Sequence, residues 1–330
     1  MPKPKIGIVV RESLRKRILA DSDLQKLTEF AEVSINPTDS DLVDQQAAQF
    51  LRGMDGALSS WNSGDLTPAI LTAAPKLKIW AYGAGSIKGK ICDEAWEKGV
   101  IVTSGAPVIA DDVAELTMGF ITMGLRKVIL YARAMQAGQR SPDKALTKTL
   151  FRRTVGVVSA SHVGQRVMRL LRPYQTRILL YDPTLTREVA LAEFGAELVD
   201  LETMACESDV VTIHAPKLPS TYQMWNETHF QLMADDSVFI NTSRGANVDE
   251  EALIRELSKG RLFAFLDVTD PEPPVLTSPL RQLDNVILTP HVAGPQTQRL
   301  GEQAVEELRR FFTGQEPLYR VTKEMLSDIG

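Results

Sequence analysis

The stretch Val155–Val167, VGVVSASHVGQRV, decides how the rest of the chain is read. A run of β-branched residues ends in a turn of small residues, and an amphipathic helical pattern follows. Strand, tight turn and helix in that order open a dinucleotide-binding unit. The motif for such a turn is G-x-G-x-x-G. Here its six positions are Ser159, Ala160, Ser161, His162, Val163 and Gly164, so serine replaces two of the three glycines. A serine forced to positive φ costs about 1–2 kcal/mol, which weakens binding by roughly one or two powers of ten. It does not abolish binding. The helix N-terminus still presents free N–H groups and a favourable dipole, and a hydroxyl can donate to phosphate.

From residue 151 onward, short apolar runs alternate with helical patterns. The runs are TVGVVS (154–159), RILLYD (177–182), AELV (196–199), DVVTIHA (209–215), SVFINT (237–242), LFAFLDV (262–268) and NVILTP (285–290). They have the composition of strands buried on both faces. Between them lie stretches such as VGQRVMRLLRPY and DEEALIRELSKG, the second with acids in its first turn and Lys259-Gly260 at its end. Such alternation predicts a doubly wound parallel sheet. The first hundred residues read as a smaller α/β unit with strands at KIGIVV (5–10), GALSSW (56–61), LKIWAY (77–82) and VIVTSG (100–105). Residues 111–138 hold no proline and are apolar on a broad face. They predict one long helix crossing between the domains. A polar loop is expected at 139–149, and a helix at RLGEQAVEELRRFFTG (299–314).

The 330 residues suit two domains. With 44% hydrophobic and 24% charged residues, there is material for sizeable cores. A net charge of −5 without a basic block argues against nucleic acid as a partner. Cys92 and Cys206 lie far apart and lack metal-ligand company, so no metal site is expected and reduced thiols are the simplest account, though two cysteines could in principle pair. The basic start is followed by only IGIVV and no small-residue cleavage site, so no signal peptide is expected. No stretch is long or apolar enough to span a bilayer. A cytoplasmic protein without a membrane partner is the expectation.

Three segments carry chemistry. In NTSRGANVDEEAL (241–253), Arg244 follows an apolar strand, where an arginine can grip a carboxylate through two parallel N–H bonds. In LDVTDPEPP (266–274), Glu272 sits among prolines that restrict its backbone. In ILTPHVAGPQ (287–296), His291 follows a strand and a proline. Each alone has a structural explanation: a surface arginine, a proline-rich turn, a satisfied histidine. Arg, Glu and His following three strands of one sheet, in that order, shift the balance to function.

These segments, with DVVTIHAPKLPST (209–221) and more loosely LTAAPKLKIWAYGAG (71–85) and VAEL (113–116), resemble the NAD-dependent D-2-hydroxyacid dehydrogenases. That group includes phosphoglycerate, D-lactate, glyoxylate/hydroxypyruvate and formate dehydrogenases. The resemblance runs from about Asp55 to about Gly314. It implies an α/β fold, a Rossmann-type doubly wound parallel sheet plus a smaller flavodoxin-like α/β substrate domain. The substrate domain would take 1–103 and 293–330, and the NAD-binding domain 104–292. It also implies a homodimer, with the 111–138 helix near the interface.

The resemblance assigns roles. His291 would be the general acid/base, Glu272 would bond its other ring nitrogen, and Arg244 would bind the substrate carboxylate and polarise the 2-oxo oxygen. Ala84 and Gly85, beside Gly83, would offer backbone N–H groups to the carboxylate. NAD would meet Ser161, His162, Val163, Asp182, Ala215, Pro216, Thr221, Thr242, Asp267 and Gly294. Asp182 ends the second strand just past twenty residues from the turn, where an acid accepts from the ribose diol, and no arginine follows it closely to hold a 2′-phosphate; this selects NAD over NADP. His229 is expected to be structural.

The chain departs from the family twice. One departure is the serine turn. The other is SIKGKI (86–91), where Ile87 and Lys88 replace a common Asp-Asn or Asp-His pair. Ser60 and Trp61 stand where phosphoglycerate enzymes offer arginine, and Tyr82 precedes the carboxylate loop. These predict a non-phosphorylated 2-hydroxy or 2-oxo acid, with Trp61 and Tyr82 either shaping its site or merely packing. The formate branch tolerates alanine at the first glycine position but has glutamine where Glu272 stands, so the chain is not read as one. The alternative is a catalytically altered member, a cofactor-sensing binding protein or an enzyme of non-redox acid/base chemistry.

Overall fold

The protein is described by a computed structural model covering residues 2–139 and 143–329. Of the polar loop expected at 139–149, residues 140–142 lie outside the described residues. In chain order the strands are β1 Lys5–Ile8, β2 Glu32–Ile35, β3 Gly56–Ser59, β4 Ile79–Tyr82 and β5 Ile101–Ser104. Then come β6 Thr154–Val158, β7 Arg177–Tyr181, β8 Glu197–Leu198, β9 Val210–Ile213, β10 Val238–Asn241, β11 Phe263–Leu266 and β12 Val286–Leu288, and last β13 Arg320–Val321. The chain divides into two compact units, Met1–Ile109 with Pro295–Gly330, and Ala110–Gly294. These divisions fall a few residues later than those expected from the sequence.

The first unit holds a six-stranded sheet in the order β13-β5-β4-β3-β1-β2. All its pairings are parallel except the antiparallel β13–β5 edge. Without β13 the order is 2-1-3-4-5, the flavodoxin-like winding. Side chains alternate between two cores: Ile79 and Ala81 of β4 join one, Trp80 and Tyr82 the other. The sequence reading missed β2 and β13. β2 is EVSI at an edge of the sheet, with no residue fully buried, so its apolar signal is thin. β13 is two residues long.

The second unit holds seven parallel strands in the order β12-β11-β10-β9-β6-β7-β8. Counted from β6, this is the 3-2-1-4-5-6 winding with one further strand, and the order reverses between β6 and β9. Its central strands are buried on both faces, as their unbroken apolar runs require. Val238 and Ile240 of β10 enter one core and Phe239 the other. Phe263 and Phe265 of β11 likewise part from Ala264 and Leu266.

The single helix expected at 111–138 is corrected: there are two, Ala106–Leu125 and Val128–Gln136. The break is at Lys127, whose backbone is left-handed at φ 53°. Burial decides this against helical continuity. The Lys127 ammonium bonds the Asp236 carbonyl at 2.9 Å and lies 3.4 Å from the centre of the Phe263 ring. No helix among the described residues is long and apolar enough to cross a membrane.

Candidate active site

The turn after β6 lies at the reversal of strand order, where parallel sheets gather their ligands. Its serines take different parts. Ser159 adopts φ 78°, the left-handed region that suits glycine. Its N–H bonds the Tyr181 carbonyl at 2.7 Å. Ser161 has φ −56° and caps the helix His162–Leu171, accepting from the Gly164 N–H at 3.4 Å. Its hydroxyl also donates to the His214 carbonyl at 2.9 Å, tying the turn to the end of β9. Of the two serine positions, only the first therefore takes the backbone form that suits glycine. Gly164 is obligatory, because a Cβ there would stand 2.0 Å from the Ser159 carbonyl oxygen.

Asp182 closes the turn from the side. Its Oδ2 accepts the Ala160 N–H at 2.8 Å and the Ser159 hydroxyl at 3.4 Å. Its Oδ1 accepts the N–H and hydroxyl of Thr184 at 3.0 and 2.7 Å. Thr184 is a partner the sequence reading missed; a threonine two residues after an aspartate is the signal of an Asx turn. His162 is exposed at the start of the helix, with Val163 half-buried beside it.

The next strand ends supply further walls. His214 is 4% exposed, its Nε2 lies 3.0 Å from the Thr212 hydroxyl, and its Nδ1 meets no partner among the described residues. Burial pulls its pKa down to about 3 and keeps the ring neutral. Ala215 is buried and its carbonyl accepts from the Asn247 side chain at 2.7 Å; Pro216 accepts the Thr221 hydroxyl at 2.6 Å. Thr221 also accepts the Leu218 N–H, so its side chain staples this loop. Thr242 is buried, its hydroxyl 3.1 Å from that of Thr117. His229 is structural, its Nδ1 accepting the Asn226 N–H at a helix start.

Arg244 follows β10 in extended backbone and donates through Nη1 to the Ser243 carbonyl at 2.7 Å. Burial lowers its pKa, and the charge of Glu272 opposes that shift. Gly245 is required next to it, since a Cβ would fall 2.1 Å from the Thr269 carbonyl.

The Nδ1 of His291 lies 2.6 Å from Oε1 of Glu272, at the ends of β12 and β11. Both side chains are partly exposed, at 46% and 40%. With Nδ1 taken, Nε2 is the atom left for a reacting group. Asp267, 1% exposed, holds the histidine's loop in shape. Its Oδ1 accepts the Thr289 hydroxyl at 2.6 Å and the Val292 N–H at 2.9 Å, and its Oδ2 accepts the Ala293 N–H at 2.9 Å. Its own carbonyl accepts the His291 N–H at 3.0 Å. Both carboxylate oxygens thus serve the protein. Gly294, half-buried, ends the loop.

In the first unit, Gly83–Gly85 follows β4. Its carbonyls are engaged: Gly83 by the Ser60 hydroxyl at 2.8 Å, Ala84 by the Gly105 N–H at 2.9 Å, Gly85 by the Ser104 hydroxyl at 2.7 Å. The N–H groups of Ala84 and Gly85 find no acceptor among the described residues. A loop with its carbonyls tied back and its amides left over suits an anion. Ile87 and Tyr82 are buried, and half-buried Trp61 packs against both cores of this unit.

A sheet of this winding, a glycine-dependent turn at its switch point and a His–Glu pair at neighbouring strand ends define a dinucleotide-dependent oxidoreductase. Residues 118–293 match the family model described as "D-isomer specific 2-hydroxyacid dehydrogenase, NAD binding domain". A glyoxylate reductase of Thermofilum pendens is 30% identical over 99% of this chain and 96% of its own length. A hydroxypyruvate reductase of Thermotoga maritima is 31% identical over 74% of this chain and 80% of its own. The D-mandelate dehydrogenase of Rhodotorula graminis shares the fold at a TM-score of 0.81 and 22% identity, over 98% of each chain. The chain belongs to the D-isomer-specific 2-hydroxyacid dehydrogenases. It is an oxidoreductase of 2-hydroxy and 2-oxo acids that uses a nicotinamide dinucleotide, consistent with NAD.

Proposed function

We propose that the protein reduces a small, non-phosphorylated 2-oxo acid to its D-2-hydroxy acid, or runs the reverse, with His291, Glu272 and Arg244 as its catalytic residues. The 2.6 Å His291–Glu272 contact carries this reading. In the reductive direction Nε2 of His291 gives its proton to the oxygen that becomes the hydroxyl, and the Glu272 carboxylate offsets positive charge on the ring. Arg244 holds the carboxylate and draws electron density from the 2-oxo oxygen. The nicotinamide, when bound, supplies or takes the hydride at C2. In the first unit the free amides of Ala84 and Gly85 favour a carboxylate. Ser60 has committed its hydroxyl to Gly83, and positions 60 and 61 carry no cation for a phosphate.

For the dinucleotide, Ser161, His162 and Val163 start a ten-residue helix whose N-terminus favours pyrophosphate. Asp182 is placed for the ribose and repels a 2′-phosphate; Ala215, Pro216, Thr221, Thr242, Asp267 and Gly294 flank the remaining length. The test mixes protein, NADH and a panel of 2-oxo acids that includes glyoxylate and hydroxypyruvate, and follows NADH absorbance. Consumption with at least one acid is expected. Silence across the panel with intact fold overturns the reading. His291→Ala should lower kcat by about 10²–10⁴-fold, with NADH affinity by fluorescence unchanged.

The rival reading is a member that binds the cofactor without turnover, or uses the acid/base pair for non-redox chemistry. The strained Ser159 favours it. It predicts His291→Ala without effect on any NADH-coupled rate. We also propose a homodimer. The helix Val128–Gln136 has no buried residue, and Val128 and Met135 are exposed, as suits a face that a second copy covers. Light scattering reading a monomer would refute it. Cys92 and Cys206 are both unpaired, in keeping with a reducing cytoplasm, which cell fractionation checks.

A further inference from the structure

The helix Glu250–Ser258 starts just after the Arg244 turn, capped by Asp249, whose Oδ1 accepts the Ala252 N–H at 3.0 Å. Its first residue, Glu250, does not point to a cation. Its Oε2 accepts the backbone N–H of Asp270 at 2.9 Å. Asp270 stands two residues before Glu272. At the same place the Arg244–Gly245 turn meets the Thr269–Asp270 backbone so closely that no Cβ fits on Gly245. The Thr269 hydroxyl bonds the Pro271 carbonyl at 2.9 Å and stiffens the next step toward Glu272. Burial raises the pKa of Glu250. A carboxylate held where burial disfavours its charge costs stability, so its place calls for a structural return.

The loop of His291 is fastened separately, through Asp267. The two loops therefore have separate anchors: Asp267 holds the loop of His291, and Glu250 holds the backbone two residues before Glu272. We propose that Glu250 is a positioning residue of the active site, which by accepting the Asp270 N–H sets the Glu272 carboxylate against His291 and so decides which ring nitrogen carries the proton. This rests on the reading of His291 and Glu272 given above.

The test reads the His291 tautomer directly. Nitrogen-15 shifts of its ring are recorded through the non-exchanging ring protons at alkaline pH, with the His291→Gln spectrum as assignment. Wild type is expected to hold the Nδ1–H form. Glu250→Ala should move the ring toward the Nε2–H form that free imidazole prefers. Glu250→Gln, which keeps an acceptor oxygen at the same reach, should retain the wild-type signal. In steady state, Glu250→Ala should lose about tenfold in kcat with KM for NADH within about twofold. If Glu250→Ala does not fold, Glu250→Asp, which withdraws the oxygen by one methylene, is read in the same way. An unchanged tautomer in the Ala variant overturns the proposal, as does a Gln variant that behaves like Ala, or a wild-type ring already in the Nε2–H form. If wild type consumes NADH with no 2-oxo acid, the functional reading fails, and the ring-nitrogen comparison still decides the role of Glu250.

Discussion

At the scale of single residues, the two serines of the turn have opposite signs. Ser159 carries a positive φ, and relief of that strain favours glycine by about 1 kcal/mol. Its hydroxyl contact to Asp182 is long, at 3.4 Å, and offsets little. Ser161 has no strain to relieve. Glycine there loses a few tenths of a kcal/mol from the cap and about 1 kcal/mol for the bond to His214. Ser159→Gly should therefore raise the melting temperature, and it tightens NADH, by up to about tenfold, only to the extent that binding adds to the strain. Ser161→Gly should lower the melting temperature. Chemical denaturation and NADH fluorescence titration read both; equal effects of the two replacements would contradict this division. The sequence placed both serines in the motif but could not tell them apart, because φ and capping depend on where β9 and Asp182 lie. The Arg–Glu–His order was legible for a different reason. Each residue follows a strand of one parallel sheet, so all three stand along its carboxyl edge. The anchors Glu250 and Asp267 were not legible as such, since apart from the Thr289 hydroxyl on Asp267 their partners are backbone N–H groups that no side-chain pattern announces.

At the scale of elements, the seven strands of the second unit could be read because burial on both faces writes an unbroken apolar run. The helix break at Lys127 could not. Residues 125–128, LRKV, contain neither proline nor glycine, and the cause lies in Asp236 and Phe263, more than a hundred residues away. Lys127 is 2% exposed. Burial pulls its pKa from the usual 10.5 to about 7, with Asp236 opposing and Lys148 adding to the fall. Below pH 7 the lysine is charged in both folded and unfolded chains, and the burial penalty is felt in full. As pH rises from 7 toward 10.5 the folded chain sheds the proton first, so stability rises over that window. Lys127→Met keeps most of the packing and removes the charge. It should stabilise the protein at pH 7 by roughly 1–3 kcal/mol, a fraction of the shift because the bond to Asp236 is lost too. The difference from wild type should shrink toward pH 10. Urea unfolding across that range measures it, and a difference independent of pH would show that the ammonium is not the source.

At the scale of the whole molecule, each unit carries its own sheet with a core on either face, and each offers ligands a distinct chemistry. In the second unit the ends of β6, β7, β9 and β10 bring together the capped helix, Asp182, the Ala215–Thr221 loop and Thr242. In the first, the loop after β4 offers the two free amides. A ligand that orders these groups slows exchange of the amides it touches and of the turns that carry them. NADH should therefore protect residues 159–164, 182–184, 215–221 and 242–245 from hydrogen exchange. It should leave the edge strands β2 and β8 at their free-protein rates. A carboxylate analogue of a 2-oxo acid, oxamate, should add protection at residues 84–86 in the presence of NADH. Peptide-resolved mass spectrometry separates the two sets. NADH protection confined to the first unit would remove the dinucleotide from the β6–β9 switch point. Oxamate protection absent from residues 84–86 would leave the free amides of Ala84 and Gly85 without a ligand and return the loop to the role of a tight turn.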